Sequence, residues 1–193
     1  MEIIRVVHRF RFCLGRHLRM LVGFEGARSC DRRLRALIEA GYLKRKKYLH
    51  GFPYLYTTTH KGRLLIGANK REDKIRIDII PHNAHVLDAV VYFKIKYNLS
   101  LKDFTSEKEL HIIDGFAIRK HQPDFTIMIS GKKCAVELER TLKPKAVLEK
   151  NIRDNYLNYD AQIWIVGDTK AYKVIQKFAS QSFLCTTNHA IKH

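Results

Sequence analysis

Short apolar segments alternate with turn residues between positions 123 and 166, and only a few folds are compatible with this pattern. Pro123-Asp124 precedes an apolar segment at Phe125–Ile129, and Ser130-Gly131-Lys132 is a turn. The segment Cys134–Glu139 then returns as a second apolar stretch. Two such segments on either side of a short turn predict an antiparallel hairpin.

A helix and a third strand are predicted directly after this hairpin. Helical spacing predicts a helix over Lys145–Asn158, with an inner face made of Val147, Leu148, Ile152 and Tyr156. The run Gln162–Val166 is continuously apolar, which is typical of a strand covered on both faces. Two strands, a helix and a buried strand together indicate an α/β core.

Three carboxylates are predicted to lie together at one end of the hairpin. Residues two apart on a strand share a face, so Glu137 and Glu139 point to the same side. A hairpin folded about Gly131 places Asp124 opposite Leu138, beside both glutamates. Carboxylates this close repel one another unless a cation, a basic group or water lies between them. The alternative is ordinary structure, because glutamates alternating on a strand often form a solvated face and Pro-Asp is a common turn dipeptide.

The chain is strongly basic, and the excess lies mainly in its first third. Across 193 residues, 36 Lys and Arg exceed 19 Asp and Glu, which gives a net charge of +17. Residues 1–70 contain 16 basic and 4 acidic residues, a net charge of +12, against +5 for residues 71–193. Such a charge favours an acidic partner, with nucleic acid first and an anionic membrane surface second.

Cysteine spacing and hydropathy predict the compartment. The four cysteines are widely spaced, with no Cys-x-x-Cys pair, which favours a reducing environment over a disulfide framework or a zinc site. The N-terminus has no uninterrupted apolar stretch of the signal-peptide kind, and no apolar run reaches 18 residues. We therefore expect a soluble cytoplasmic protein without a membrane partner.

The basic first third has the order of elements found in a winged helix-turn-helix. Apolar spacing predicts two helices within Ile3–Phe24, separated at Gly15. A third, arginine-rich helix follows, with Ser29 or Asp31 as the predicted N-cap and Gly41 just beyond its end.

A two-stranded hairpin is predicted after these helices. It comprises the basic run Lys44–Lys47, a Gly-Phe-Pro turn and the β-rich segment Tyr54–Thr59. Together, residues Arg32–Gly62 resemble the winged-helix module of many bacterial regulators, although such modules also serve in dimerisation and protein docking. The residues predicted to contact DNA are Arg28, Arg32, Arg33 and Arg35 at the major groove, and Lys44, Arg45, Lys46 and Lys47 at the phosphates.

Polar, weakly patterned residues at 69–73 predict a linker between a winged helix-turn-helix domain at 1–68 and a second domain at 74–193. At the start of the second domain, alternating isoleucines predict a strand over Ile75–Ile80. Helical spacing then predicts a helix over Val86–Tyr97.

Four short motifs in the second domain occur in a characteristic order. They are Ser-Glu-Lys-Glu-Leu at 106–110, His-Gln-Pro-Asp at 121–124, Val-Glu-Leu-Glu-Arg-Thr-Leu-Lys at 136–143, and a helix that leads to Tyr156 and Tyr159. Pro-Asp followed after a short gap by Glu-x-Glu resembles the PD-(D/E)XK nuclease core of restriction endonucleases and junction resolvases. All four motifs together resemble the replication-relaxation and mobilisation family of plasmids and integrative elements. The resemblance implies an α/β fold (α+β overall) in which a winged helix-turn-helix precedes a restriction-endonuclease-like core.

The resemblance also implies roles for individual residues. The implied metal ligands are Glu107, Asp124 and Glu137, with Glu139 as a fourth, and the implied cofactor of an active enzyme is Mg²⁺ or Mn²⁺. A metal-bound water would be the nucleophile, and Lys143 would stabilise the pentavalent phosphate. This chain departs from the full motif, because Glu139 stands where the motif has lysine. Lys143 or Lys145, just beyond, is the expected substitute.

The predicted function is DNA binding in the processing, transfer, replication or regulation of a mobile element, and phosphodiester cleavage is left open. The first rival prediction is a transcriptional regulator that uses an inactive nuclease fold for dimerisation or partner contact. The second is an active endonuclease of a defence system. The predicted partners are double-stranded DNA, other DNA-processing proteins of the element and, for a regulator, a second copy of the chain.

Overall fold

A computed structural model describes residues 1–68, 74–115, 121–141, 143–167 and 169–178, together with the backbone of strand 183–187. The chain divides into two compact units, Met1–Leu87 and Asp88–His193. The predicted linker at 69–73 lies outside the described residues. Within the described ranges, no helix has the length and apolar character needed to cross a membrane.

The described residues 1–68 of the first unit form three helices, a hairpin and a short fourth helix. These elements are α1 (Glu2–Arg9), α2 (Gly15–Val22), α3 (Ala27–Glu39), β1 (Leu43–Lys46), β2 (Leu55–Thr58) and α4 (His60–Leu65). The strands are antiparallel, and Arg45 lies opposite Tyr56. The core is built from Ile4, Val7, Phe12, Leu18, Leu34 and Leu55, all essentially buried.

The start of α3 differs from the prediction, whereas its end agrees. Gly26 is the N-cap, and the predicted caps Ser29 and Asp31 lie inside the helix. The hydroxyl of Ser29 donates to the Gly26 carbonyl over 2.8 Å, so it bonds back to the helix start instead of capping it. Gly41, with φ of +74°, follows the C-cap as predicted, since glycine adopts this left-handed conformation without strain.

Helix α4 begins against the end of α3. Its N-cap, Thr59, accepts a hydrogen bond from the Gly62 N–H at 3.0 Å, and the Thr59 hydroxyl donates to the Gly41 carbonyl at 2.6 Å. A Cβ atom on Gly62 would overlap the carbonyl oxygen of Tyr42. The close approach of α4 to the chain after α3 therefore requires glycine at position 62.

The predicted strand over Ile75–Ile80 is wrong. Ile77–Ile79 forms a 3₁₀ turn that leads into helix α5 (Ile80–Lys96), which contains most of the helix predicted at 86–97. Pro81 stands in the first turn of α5. A backbone N–H in the first turn has no hydrogen-bond partner within the helix, so proline, which lacks this N–H, is tolerated there. The side chain of Ile77 is exposed, so the alternation of isoleucines does not mark a buried sheet face.

The second unit is built on a five-stranded mixed sheet. Its strands, in spatial as well as chain order, are β3 (Phe104–Ser106), β4 (Phe125–Ile129), β5 (Lys132–Glu139), β6 (Ala161–Val166) and β7 (Phe183–Thr187). β4 runs antiparallel to both of its neighbours, β3 and β5, whereas β5, β6 and β7 run parallel. The connecting helices are α6 (Glu107–Asp114), α7 (Lys145–Asn158) and α8 (Thr169–Gln176).

The centre of this sheet is buried as predicted, but the inner face of α7 is different. Every residue of β6 from Gln162 to Val166 is buried, and Trp164 packs in a cluster with residues of α7 and α8. On α7 the buried residues are Leu148, Asn151, Ile152 and Asn155. The predicted inner residues Val147 and Tyr156 are exposed instead, Tyr156 by 65%. Two buried asparagines therefore stand where the apolar pattern predicted a purely apolar face.

Candidate functional site

The β4–β5 turn sets the register of the carboxylates. Ser130 and Gly131 both have positive φ, 50° and 78°, as in the two-residue turns that match the twist of a hairpin. Phe125 therefore pairs with Val136, and continuing this register places Asp124 beside Glu137 instead of Leu138, one residue from the prediction. The Asp124 carboxylate nevertheless reaches the Leu138 backbone, whose N–H donates to it over 2.7 Å.

Glu137 is 2% exposed, which contradicts a solvated strand face. Its Oε1 atom accepts a hydrogen bond from the Asn155 side-chain amide at 2.8 Å and also contacts Nε2 of His121. Burial raises the pKa of Glu137, and the charge of Asp124 adds to this effect. The hydrogen bonds from His121 and Asn155 oppose the rise without cancelling it. Glu137 is therefore a carboxyl group held in place by protein donors in a poorly hydrated position.

Glu139 is equally buried and is paired with a cation. Nζ of Lys143 donates to its Oε2 atom over 2.7 Å, while the Lys143 side chain remains 38% exposed. Burial alone would lower the pKa of Lys143. The hydrogen bond to Glu139 and the charges of Glu139, Glu137 and Asp124 outweigh burial and raise it. The chain thus folds back after β5 and brings a positive charge to the carboxylates.

Lys145, the other candidate for this position, lies apart from the carboxylates. Its ammonium group is 3.6 Å from Glu149 on the same helix, and its side chain is 79% exposed. Of the two lysines considered from the sequence, Lys143 is the one placed beside Glu139.

The structure brings the backbone of Glu107 to the site but not its carboxylate. The Glu107 N–H donates to the carbonyl of Asp124 over 3.2 Å, because α6 begins where β3 pairs with β4. The carboxylate instead lies 3.7 Å from Nε2 of His111, one turn along α6. Among the described residues, no three His, Cys, Asp or Glu side chains are grouped closely enough to hold a metal ion. A site formed by Glu107, Asp124 and Glu137 would need the Glu107 side chain to turn away from His111.

Several polar residues of the site were not predicted as functional. His121 was noted only as the first residue of the motif at 121–124, and Asn155 was missed. The His121 backbone N–H donates to Asp154 of α7 at 3.1 Å, which anchors the segment before Asp124. Burial, followed by the charges of Asp114 and Glu137, raises the pKa of Tyr159 to about 12. The signal available for Asn155 was its spacing on α7, three residues after the inner-face residue Ile152.

The predicted DNA-contacting residues lie on the surface of the first unit. Helix α3 buries Cys30 and Leu34, and all four of its predicted DNA-contacting arginines are exposed. On the hairpin, Arg45, Lys46 and Lys47 are exposed and Lys44 is half-buried. Positions 28, 32 and 35 are separated by four and three residues, so their side chains share one face of the helix.

These two groups of residues can perform different chemistry. The surface of α3 and the hairpin concentrates positive charge, which suits phosphate binding. The end of the β4–β5 hairpin combines Asp124, Glu137 and Glu139 with one ammonium group, a set of groups suited to binding a cation or a phosphate. No protein-family model, curated protein or solved structure matches the chain.

Proposed function

We propose that this chain is a DNA-binding protein of a plasmid or integrative element, acting in DNA processing, transfer, replication or its regulation. One observation carries the proposal: Arg28, Arg32, Arg33 and Arg35 all lie exposed on a helix whose buried side is formed by Cys30 and Leu34. Arg28, Arg32 and Arg35 share one face of this helix and repel one another, and an anionic partner relieves that repulsion. The mobile-element context rests on the resemblance of the motifs between residues 106 and 159.

The order of the elements supports this proposal. In the first unit, three helices, a hairpin and the arginine-rich surface of the third helix fit a winged helix-turn-helix with α3 as the recognition helix. In the second unit, three antiparallel strands, a helix and a parallel strand fit a restriction-endonuclease-like core. Cytoplasmic double-stranded DNA is the partner that suits both units.

A binding measurement tests the DNA-binding proposal. The full chain is titrated into labelled duplex DNA, and the triple variant Arg32→Ala, Arg33→Ala, Arg35→Ala is compared with it. The matched control, Lys170→Ala, Lys173→Ala, Lys177→Ala, also removes three positive charges, but from exposed residues at α8. We expect the α3 variant to bind at least about 10-fold more weakly than the control, since each charged contact contributes about 1 kcal/mol or more. Equal affinities of the two variants would rule out α3 as the DNA-binding surface.

Metal-dependent phosphodiester cleavage is a second candidate function, favoured by the buried carboxylates beside Lys143. Asp124 and Glu137 would hold Mg²⁺ or Mn²⁺, and the bound ion would supply Lewis-acid chemistry and an activated water. Lys143 would bind the phosphate being cleaved, in place of the lysine that the motif has at position 139. Glu139 would keep the Lys143 ammonium group charged and oriented.

A plasmid-nicking assay separates an active nuclease from an inactive one. Native protein, Asp124→Ala and Glu137→Ala are compared with Glu149→Ala, which removes an exposed carboxylate from α7. A nuclease would nick DNA only with the metal present, would lose nicking in the first two variants and would keep it in the third. DNA binding without nicking by the native protein would instead favour a regulator or accessory protein on an inactive nuclease scaffold.

A further inference from the structure

Aromatic side chains are concentrated in the hairpin of the first unit. Five of the 15 residues from Tyr42 to Tyr56 are aromatic, against 10% of the whole chain. The same segment contains the basic run Lys44–Lys47. Tyr54 is 44% exposed, and Tyr48 and Phe52 are half-buried. The hairpin therefore presents aromatic surface and positive charge together.

Three of these rings lie within 6 Å of a cation of the same hairpin. Cζ of Arg45 lies 3.9 Å from the ring centroid of Tyr54 and 5.9 Å from that of Tyr56. Nζ of Lys46 lies 5.0 Å from the ring centroid of Tyr48. The register explains the first pairing, because Arg45 lies opposite Tyr56 and Tyr54 stands two residues earlier on the same side. Attraction between a cation and an aromatic face holds these charges in place before any partner binds.

We infer that the hairpin binds unpaired nucleotides, so that the preferred substrate is duplex DNA with an adjoining unpaired segment. This inference rests on the proposed DNA binding and specifies its substrate. An unpaired nucleotide offers a planar base and an anionic phosphate; Tyr54 supplies a stacking surface and Arg45 a phosphate partner. Inside an intact duplex both faces of each base are covered by neighbouring bases. If the hairpin bound only phosphates, its cations would be sufficient and an exposed aromatic ring would have no role in binding.

Competition between two labelled DNAs tests the inference with the full chain. One is an intact duplex, and the other has the same sequence with about four consecutive mismatched, unpaired positions. We expect the native protein to bind the DNA with the unpaired segment about 10-fold more tightly, which matches the contribution of one base stacked on an aromatic ring. Equal affinity for the two DNAs would overturn the inference.

Variants of Tyr54 identify the ring as the cause of the preference. Tyr54→Ala is expected to abolish most of the preference, and Tyr54→Phe, which keeps the ring, is expected to retain it. Tyr156→Ala removes an exposed tyrosine from α7 in the second unit and should leave the preference unchanged. If Tyr54→Ala weakened binding to both DNAs by the same factor, the ring would serve only to support Arg45, and the inference would be wrong.

The same titrations separate this inference from the proposal on which it rests. Binding to both DNAs with equal affinity, abolished in the α3 arginine variant, would reject the role of the hairpin and leave the proposed function intact. Binding to neither DNA would reject both.

Discussion

The ammonium nitrogen of Lys143 lies 2.7 Å from a carboxylate oxygen of Glu139. Glu139 stands where the nuclease motif that this segment resembles has lysine. An acidic residue, Glu139, thus occupies this motif position and forms an ion pair with Lys143, four residues further along the chain. Burying Glu139 without this partner would leave a charge in a poorly hydrated position, which is unfavourable. The pair therefore links the stability of the β5 end to any catalytic role of Lys143.

Lys143→Met is expected to destabilise the protein by about 1–3 kcal/mol, because it leaves the buried Glu139 carboxylate unpaired. Urea denaturation measures the change, and Lys145→Met, which removes an exposed lysine, is the control. Adding Glu139→Gln to Lys143→Met should restore part of the stability. No recovery in the double variant would show that the pair contributes little to stability.

Glu137→Gln is expected to raise the free energy of unfolding at neutral pH. Burial raises the pKa of Glu137 above its ordinary value of 4.5. A group with a raised pKa in the folded state contributes its full stability below its unfolded pKa and loses that contribution as the pH rises through its folded pKa. Glutamine does not ionise, so the advantage of the variant should be greatest at neutral pH and disappear below about pH 4.5.

Urea denaturation of both proteins across this pH range measures the difference. A glutamine variant less stable than the native protein at neutral pH would mean that ionised Glu137, bonded to His121 and Asn155, stabilises the fold. If the site cleaves DNA, the same variant should also lose cleavage. Greater stability with abolished activity would mark Glu137 as a residue retained for function.

Gly62→Ala is expected to destabilise the first unit by about 2 kcal/mol or more, because the new Cβ overlaps the Tyr42 carbonyl. Gly26→Ser is the control: nothing lies within 4 Å of a Cβ at Gly26, and serine is a favourable N-cap residue. Thermal unfolding followed by circular dichroism compares the two variants. An alanine variant as stable as the native protein would mean that α4 can shift away from the end of α3.

Several elements of the second unit could be predicted because their signals are local. The strands β4 and β6 and the bounds of α7 follow from apolar runs and spacing within each segment. The 3₁₀ turn at Ile77–Ile79, in the first unit, could not be predicted in this way. Alternating isoleucines there have the period of a strand, but no strand among the described residues pairs with them.

The geometry of the candidate site depends on interactions that no local pattern contains. The predicted register was one residue out because it assumed a turn centred on Gly131, whereas Ser130 also adopts positive φ. The partners of Glu137 come from the segment before Asp124 and from α7, 16 and 18 residues away in the chain. The position of an asparagine on a helix does not indicate which strand residue its side chain will contact. The carboxylates were therefore predictable as a group, and their hydrogen-bond partners were not.

The salt dependence of DNA binding tests the central proposal most directly. Removing one cation that binds a phosphate should reduce the steepness of log affinity against log salt concentration by about 0.9. We predict that the Arg32, Arg33 and Arg35 triple alanine variant shows a slope smaller by about 2–3 than the native protein. The variant lacking Lys170, Lys173 and Lys177 should keep a slope close to that of the native protein. Identical slopes for the native protein and the α3 variant would contradict the proposal that this helix binds DNA.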